Sequence, residues 1–532
     1  MTTVYLVEMH GRQPPDWDPG VFRASSRALR PFLASDADRP NVYFHPRLLE
    51  APQMERAIVA FGRAQGGSEV SGARLVLVNA DHALDHLLTW GWQEGRIFIY
   101  RFEREEGSTS PPAFADVTLI FSGILGQPVP SYSRGRPTRI AFDVMDPLAE
   151  LDDPLQPAAY AGDNVPPAGY EGVPETVGGL TLADAWGRLL NITAPMVNGS
   201  TEAFHFGADG VQEVVTAYDR GSAEIRDANL SGATFDSTDP ATGKFNSDIA
   251  RGLAKFGSTL ADRSSTTWDV KGNKLGGVYV DTPGTIIKRM LKDRRGWTDD
   301  RLDLDAFTAL ETACPWECGL WKRAGEDLSF RLAIDKLVAS VFGYRGIRRD
   351  GKFTLGVTTL PTGDPVARLL RSDIINVEQL APVDRNNGTP PSETVVDHAR
   401  NWTVQREGLA GNVLGDPDRK AWLAQEYRST RSPASAGVLA KFPNAKPLRL
   451  TTLLIQTAHA QALGDLVQDI LEEEPALLRI TAIDNARSAA VDLADAFELD
   501  YPLYGWDERP FRCLRLKPNE PRAGLITIEG WG

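Results

Sequence analysis

Residues Arg509 to Gly532 read "RPFRCLRLKPNEPRAGLITIEGWG". Two apolar-rich runs, residues 510–517 and 523–531, flank the turn-forming "PNEPR", the pattern of a β-hairpin whose second strand closes the chain. Chain ends are usually disordered unless something ties them down. A terminus written as a strand and finishing on Trp531 is therefore expected to be held in a sheet.

Working outward, residues 376–532 read as mainly β. "SETVVDHARNWTVQ" (392–405) predicts a strand, and "DPDRKAWLAQEYRSTR" (416–431) a short helix. Residues 448–484 run strand, helix, strand. Residues 281–375 hold the clearest helices. In "TPGTIIKRMLKDRRG" Thr282 caps, Pro283 opens and Gly296 stops a helix whose apolar face is Ile286, Ile287, Met290 and Leu291. "EDLSFRLAIDKLVASVFG" predicts another, with Leu328, Leu332, Leu337 and Val341 inward, and "YRGIRRDGKFTLGV" a hairpin with "RDGK" at its tip.

Residues 156–280 carry the Gly- and Pro-rich stretch 154–179, a strand pair around "DRG" (219–221), and one expected helix in "NSDIARGLAKFGSTLAD" (246–262). Residues 1–155 alternate short β-runs with turns, as in a barrel or sandwich. The expected organisation is four units: 1–155, a β-rich barrel; 156–280, a loop-rich β connector; 281–375, an α+β domain; and 376–532, a second β-barrel ending in the hairpin. The fold class is α+β, predominantly β.

Composition narrows function. The 532 residues are 42% hydrophobic and 24% charged, ordinary for globular domains, with Gly 48 and Pro 36 favouring turns and short strands. Lys+Arg 57 against Asp+Glu 71 leaves a net charge of −14, which argues against non-specific nucleic-acid binding as the main role. Three cysteines, Cys314, Cys318 and Cys513, are too few for a disulfide framework and suit a reducing cytoplasm. No run approaches the ~20 apolar residues of a membrane span, so no stable membrane insertion is expected. The start, "MTTVYLVEMHGRQPPDW", lacks a secretory signal's basic region and apolar core.

The chemical motifs are weak. His82 and His86 in "HALDH" have i, i+4 spacing, but Ala83 stands where a zincin needs Glu, so two loop histidines are expected. Cys314 and Cys318 in "CPWEC" lack a second pair and read as structural thiols. Trp90 and Trp92 in "TWGW" could stack on a sugar, but more often such residues pack beside a turn. "GKFNS" and "KGNKLGG" do not match the phosphate-cradling loop, and neither a nucleophile elbow nor a dinucleotide fingerprint occurs. No catalytic, cofactor-binding or metal residue is assigned, no cofactor is expected, and the chain is not read as an enzyme.

Several stretches carry a resemblance. "ARLVLVNADHALDHLLTWGWQEGRIFIY" (73–100), "DDPLQPAAYAGDN" (152–164), "VVTAYDRG" (214–221), "TTWDVKG" (266–272), "DHARNWTVQ" (397–405) and the closing residues 501–532 are similar to segments of the baseplate hub, or tail-tip, proteins of long-tailed, siphovirus-like bacteriophages and gene-transfer-agent-like particles. The resemblance runs in patches from about residue 70 onward. It implies a virion structural protein assembled in the host cytoplasm: a homotrimeric hub with two tail-tube-like barrels per chain, giving a pseudo-six-fold ring. Implied partners are the distal tail ring, tail tube, tape measure protein, central spike or fibre and receptor-binding proteins, with phage DNA passing through during ejection. Aliphatic residues are expected in that family where "CPWEC" stands. A strand-bound terminus suits such a ring, because sheet edges shared with neighbours leave no aggregation-prone strand. Alternative readings are a hexameric distal tail ring, a receptor- or glycan-binding tail component, and a tail-borne cell-wall hydrolase.

Overall fold

Val4 and Leu6 point to one side of the first strand, Tyr5, Val7 and Met9 to the other, and both sides are apolar. Such a strand needs cover on both faces, and in the computed structural model it has it. The structure describes residues 2–50, 55–60, 73–92, 95–105, 113–133, 136–165, 169–257, 265–380, 389–502, 505–506, 509–518 and 524–532. The first module is a seven-stranded antiparallel sheet. Its order is Asp18–Ser25, Thr2–Gln13, Gly95–Arg104, Thr118–Ser133, Arg136–Met145, Ala73–Val78 and Leu48–Glu50. The backbone of His45 bonds to Arg23 and Ser25 on one edge, and Leu48 pairs with Leu77 on the other. The segment between them thus curls the sheet toward closure.

The second sheet has nine strands and is built around Trp268, fully buried, with Phe204, Phe206, Phe245 and Phe256 at centroid distances of 5.3, 5.3, 5.6 and 4.9 Å. Its outermost strand, Gly319–Lys322, comes from the helical part of the chain and pairs with Asp184–Ile192. The expected helix at 246–262 is absent over its described part: Lys244–Asp248 and Leu253–Phe256 form a hairpin instead. The Asp248 carboxylate accepts from the Ala250 and Arg251 amides, and Gly252 turns the chain at φ 62°. Those local bonds compete with helix formation, and residues 258–262 lie outside the described set.

The helical elements follow their punctuation. Thr282 and Thr285 form a reciprocal cap, Pro283 opens the helix Pro283–Arg289, a π-turn Met290–Arg294 continues it, and Gly296 ends it at φ 79°. Ser329 caps Phe330–Ala339, but Leu332 is 46% exposed; the buried face is Phe330, Ala333, Ile334, Leu337 and Val338. The "RDGK" hairpin joins Gly343–Ile347 to Phe353–Val357.

In the last sheet the closing strand Leu525–Trp531 is central, paired with Pro510–Pro518 and Leu477–Ile483, and Trp531 is buried. The "NEPR" tip lies outside the described residues. Two short strands from near residue 58 knit the chain together: Arg56–Ala57 adds to Pro510–Pro518, and Val59–Ala60 to Gly343–Ile347. The largest core takes in Ile58 and residues between Leu148 and Trp531, with two smaller clusters beside it around Phe235 and Leu423, while the first sheet keeps its own. The fold is α+β and predominantly β. Among the described residues no helix is long and apolar enough to cross a membrane.

Candidate functional site

Three of the resembling segments, far apart in sequence, meet at one buried junction centred on Asn191. Asn191 interrupts the strand Asp184–Ile192 at φ 54°, where the pairing with Thr266–Asn273 shifts register. Its amide donates to Asp269 Oδ1 at 2.8 Å, and its Oδ1 accepts from Thr267 Oγ1 at 2.5 Å. Its Nδ2 donates to Asn401 Oδ1 at 2.8 Å and to the Thr403 carbonyl at 2.7 Å. Asn401 Nδ2 in turn donates to the carbonyls of Leu423 and Gln425 at 3.1 and 2.9 Å. The Tyr218 hydroxyl donates to Asp269 Oδ2 at 2.9 Å. "VVTAYDRG", "TTWDVKG" and "DHARNWTVQ" thus supply the parts of a single hydrogen-bond network.

Its electrostatics are those of a closed knot. Burial pushes the Asp269 carboxyl up, opposed by the Asn191 amide and the Tyr218 hydroxyl. Burial, with the Asp269 charge beside it, pushes Tyr218 up to about 12. Arg419 lies over the rings of Tyr218 and Trp422 at 4.2 and 4.6 Å. Next to it, Gly221 at φ 79° lets the "DRG" turn reach Leu423; a Cβ there would meet the Leu423 side chain at 2.6 Å. A cavity of about 490 Å³ opens at this place, walled by Leu190, Asp269, Asp418, Arg419 and Trp422. Partly satisfied polar groups inside a protein are costly, whereas a network in which members bond one another fixes one geometry. The junction ties the strand Asp184–Ile192 to residues 401–403, some 210 positions further along the chain.

Two further ion-pair clusters serve the same end. Asp184, fully buried, accepts from Trp186 Nε1 at 2.8 Å and pairs with Arg294 at 3.1 Å; Arg294 also pairs with Asp209. Asp492 pairs with Arg56 at 2.7 Å and accepts from the Arg349 amide at 2.9 Å. Burial would raise the Asp492 carboxyl, but Arg56 and Arg349 together hold it well below the usual range. Arg101 of the first sheet pairs with Asp484 beside the last.

The residues singled out from sequence are dispersed. His82 contacts Asp85 at 3.3 Å, and His86 Nδ1 lies 3.0 Å from the Ala83 carbonyl, both within their own turn. Among the described residues no group of three or more His, Cys, Asp or Glu is placed to hold a metal. Trp92 is fully buried, stacked on Trp90 at 5.3 Å and edge-on to Phe142 at 5.1 Å. Cys314, Cys318 and Cys513 are free and buried; burial, then the neighbouring Glu311, pushes the Cys314 thiol up to about 12. Asn191 was not found from sequence. The one available signal is an Asn set between Leu190 and Ile192 in "AWGRLLNITAP".

No family model matches the chain, and no curated protein matches it in sequence. Among solved structures it is similar to a tail protein from Neisseria meningitidis MC58, at 9% identity and TM-score 0.37, covering 91% of this chain and 94% of that one. The 43 kDa tail protein of prophage MuSo2 from Shewanella oneidensis overlaps at 9% identity and TM-score 0.34, covering 90% and 98%. Prophage tail protein gp18 from Listeria monocytogenes EGD-e overlaps at 6% identity and TM-score 0.36, covering 100% and 94%. Scores of this size describe partial overlays of elements.

Proposed function

We propose that this chain is a structural component of a phage-like tail, and within it a baseplate hub or tail-tip protein. Three copies form a ring that joins tail tube and distal ring to the central spike or fibre. The observation that carries this reading is the convergence of "VVTAYDRG", "TTWDVKG" and "DHARNWTVQ" on the Asn191 junction. Segments that resemble one family and also interlock in space have a shared physical task.

The architecture supports the same reading. The first sheet and the last lie in one chain, linked through Arg56–Ala57 and by the Arg101–Asp484 pair. Among the described residues the last sheet ends on the strand Ile374–Leu380, which pairs with no further strand, and Ile375 is 58% exposed. In the ring a neighbouring subunit covers that edge.

Across the last sheet the charges alternate: Glu378–Arg479 at 3.6 Å, Arg479–Glu529 at 3.0 Å, Glu529–Arg515 at 3.5 Å and Arg515–Glu55 at 3.2 Å. Paired charges of this kind offer a phosphate backbone no positive track to hold it, as a passage for DNA requires. Copy number in the purified particle tests the proposal. Three copies per tail fit a hub, six fit a distal ring, and an isolated monomer that releases sugar from cell wall overturns the structural reading.

A further inference from the structure

Between the first sheet and the helical module lies a cleft of about 430 Å³, in the size range of small-molecule sites. Three guanidinium groups reach it: Arg96 from the strand Gly95–Arg104, and Arg295 and Arg301 from either side of Trp297. Arg301 stacks on the Trp297 ring at 4.1 Å, and its Nη2 donates to Glu150 Oε2 at 2.9 Å. The same oxygen accepts from Trp297 Nε1 at 2.8 Å and lies 3.8 Å from Arg295 Nη2. One carboxylate oxygen thus faces three donors, two of them cationic.

The other acids near these arginines are more exposed. Asp153 (58% exposed) pairs with Arg295 at 2.9 Å, and Asp300 (63% exposed) with Arg96 at 3.4 Å. Solvent screens such pairs, while the side chains of Arg295 and Arg301 are only 28% and 18% exposed. Arg295 Nε is buried and meets no acceptor among the described residues. Burial lowers the Arg301 guanidinium from its usual range; Glu150 opposes this, and repulsion from Arg96 and Arg295 adds to it. A third acid of the lining, Asp350, is 39% exposed and pairs with Lys352 at 3.6 Å. The carboxylates thus match the guanidiniums in number, but the two inner arginines, Arg295 and Arg301, share the single largely buried one, Glu150.

We propose that this cleft binds a phosphate oxyanion, as the free ion or as the head of a small phosphomonoester, held by Arg96, Arg295 and Arg301. Planar guanidinium forks match phosphate oxygens two at a time, and half-buried ones hold them best. The inference goes beyond the structural role and stands without it.

The test is calorimetric titration of the full chain, at constant ionic strength, with inorganic phosphate and separately with glycerol phosphate. Saturable binding is expected. Arg96→Gln should weaken it about tenfold, and Asp300→Asn, which removes a competing carboxylate, should tighten it. Both positions are exposed, so neither change threatens folding. Tighter binding of glycerol phosphate assigns the ester, and equal or tighter binding of inorganic phosphate assigns the free ion. No saturable heat with either up to ~10 mM, or the two variants shifting affinity in the same direction, overturns the site.

Discussion

Asn191 meets two demands that few residues satisfy together: a left-handed backbone, and a side chain that accepts once and donates twice inside a core. Asn191→Ala should cost about 2–4 kcal/mol, because it adds backbone strain and strips partners from Asn401, Thr267 and the Thr403 carbonyl. Asn191→Gly keeps the backbone freedom and should cost about 1 kcal/mol less. Denaturant midpoints check both, and equal losses would remove the strain component.

A second residue-scale outcome concerns pH. Burial lowers His205 from 6.5 to about 4, and its Nδ1 lies 2.8 Å from the Tyr160 hydroxyl. The unfolded chain therefore takes the proton first. Stability is full above pH 6.5 and falls by about 3 kcal/mol as pH drops toward 4. The wild-type and His205→Gln profiles should diverge over that window; parallel profiles would contradict the assignment. Neither Asn191 nor His205 was legible in the sequence, since no periodicity or motif marks a lone polar residue whose partners lie far along the chain.

Punctuation decided which elements could be read. Thr282, Pro283 and Gly296 bound their helix as expected, and Ser329 caps the helix Phe330–Ala339. The closing hairpin also formed, its last strand held between two others. Residues 246–256 misled because "NSDIARGLAKF" suits a helix by composition, while the Asp248 cap and the Gly252 turn decide for a hairpin. Leu332 misled in a smaller way: Leu328, Leu337 and Val341 are buried as expected, but at this turn Ala333 and Ile334 face the core in its place.

Gly252 gives an element-scale test. A Cβ there would meet the Gly207 carbonyl oxygen at 2.4 Å on a backbone at φ 62°, whereas Gly296, at φ 79°, has nothing within 4 Å. Gly296→Ala should cost about 1 kcal/mol from backbone strain alone. Gly252→Ala should cost more, by at least another ~1 kcal/mol of overpacking. Thermal unfolding ranks them, and a larger loss at Gly296 would contradict the turn.

At the scale of the molecule, the β-rich texture at both ends and the helical stretch between them were visible in the sequence. The stitching was not. Gly319–Lys322 completes a sheet begun at Asp184, and residues 56–60 add strands to two sheets hundreds of residues away. Such pairings leave no local signature, because each strand's own pattern says only that it is buried, not against what. What they build is a chain whose modules are pinned by the Asn191 knot, the Asp184–Arg294 pair and the Asp492–Arg56 pair. Ties of this kind between distant segments suit the proposed ring.

The central claim is that sister copies close into that ring, and reconstruction of the intact particle by electron microscopy tests it most directly. The account predicts three copies of this chain around the tail axis, with the first and last sheets alternating about a central channel. A density that places the chain off the axis, as a monomer on a fibre, would contradict it.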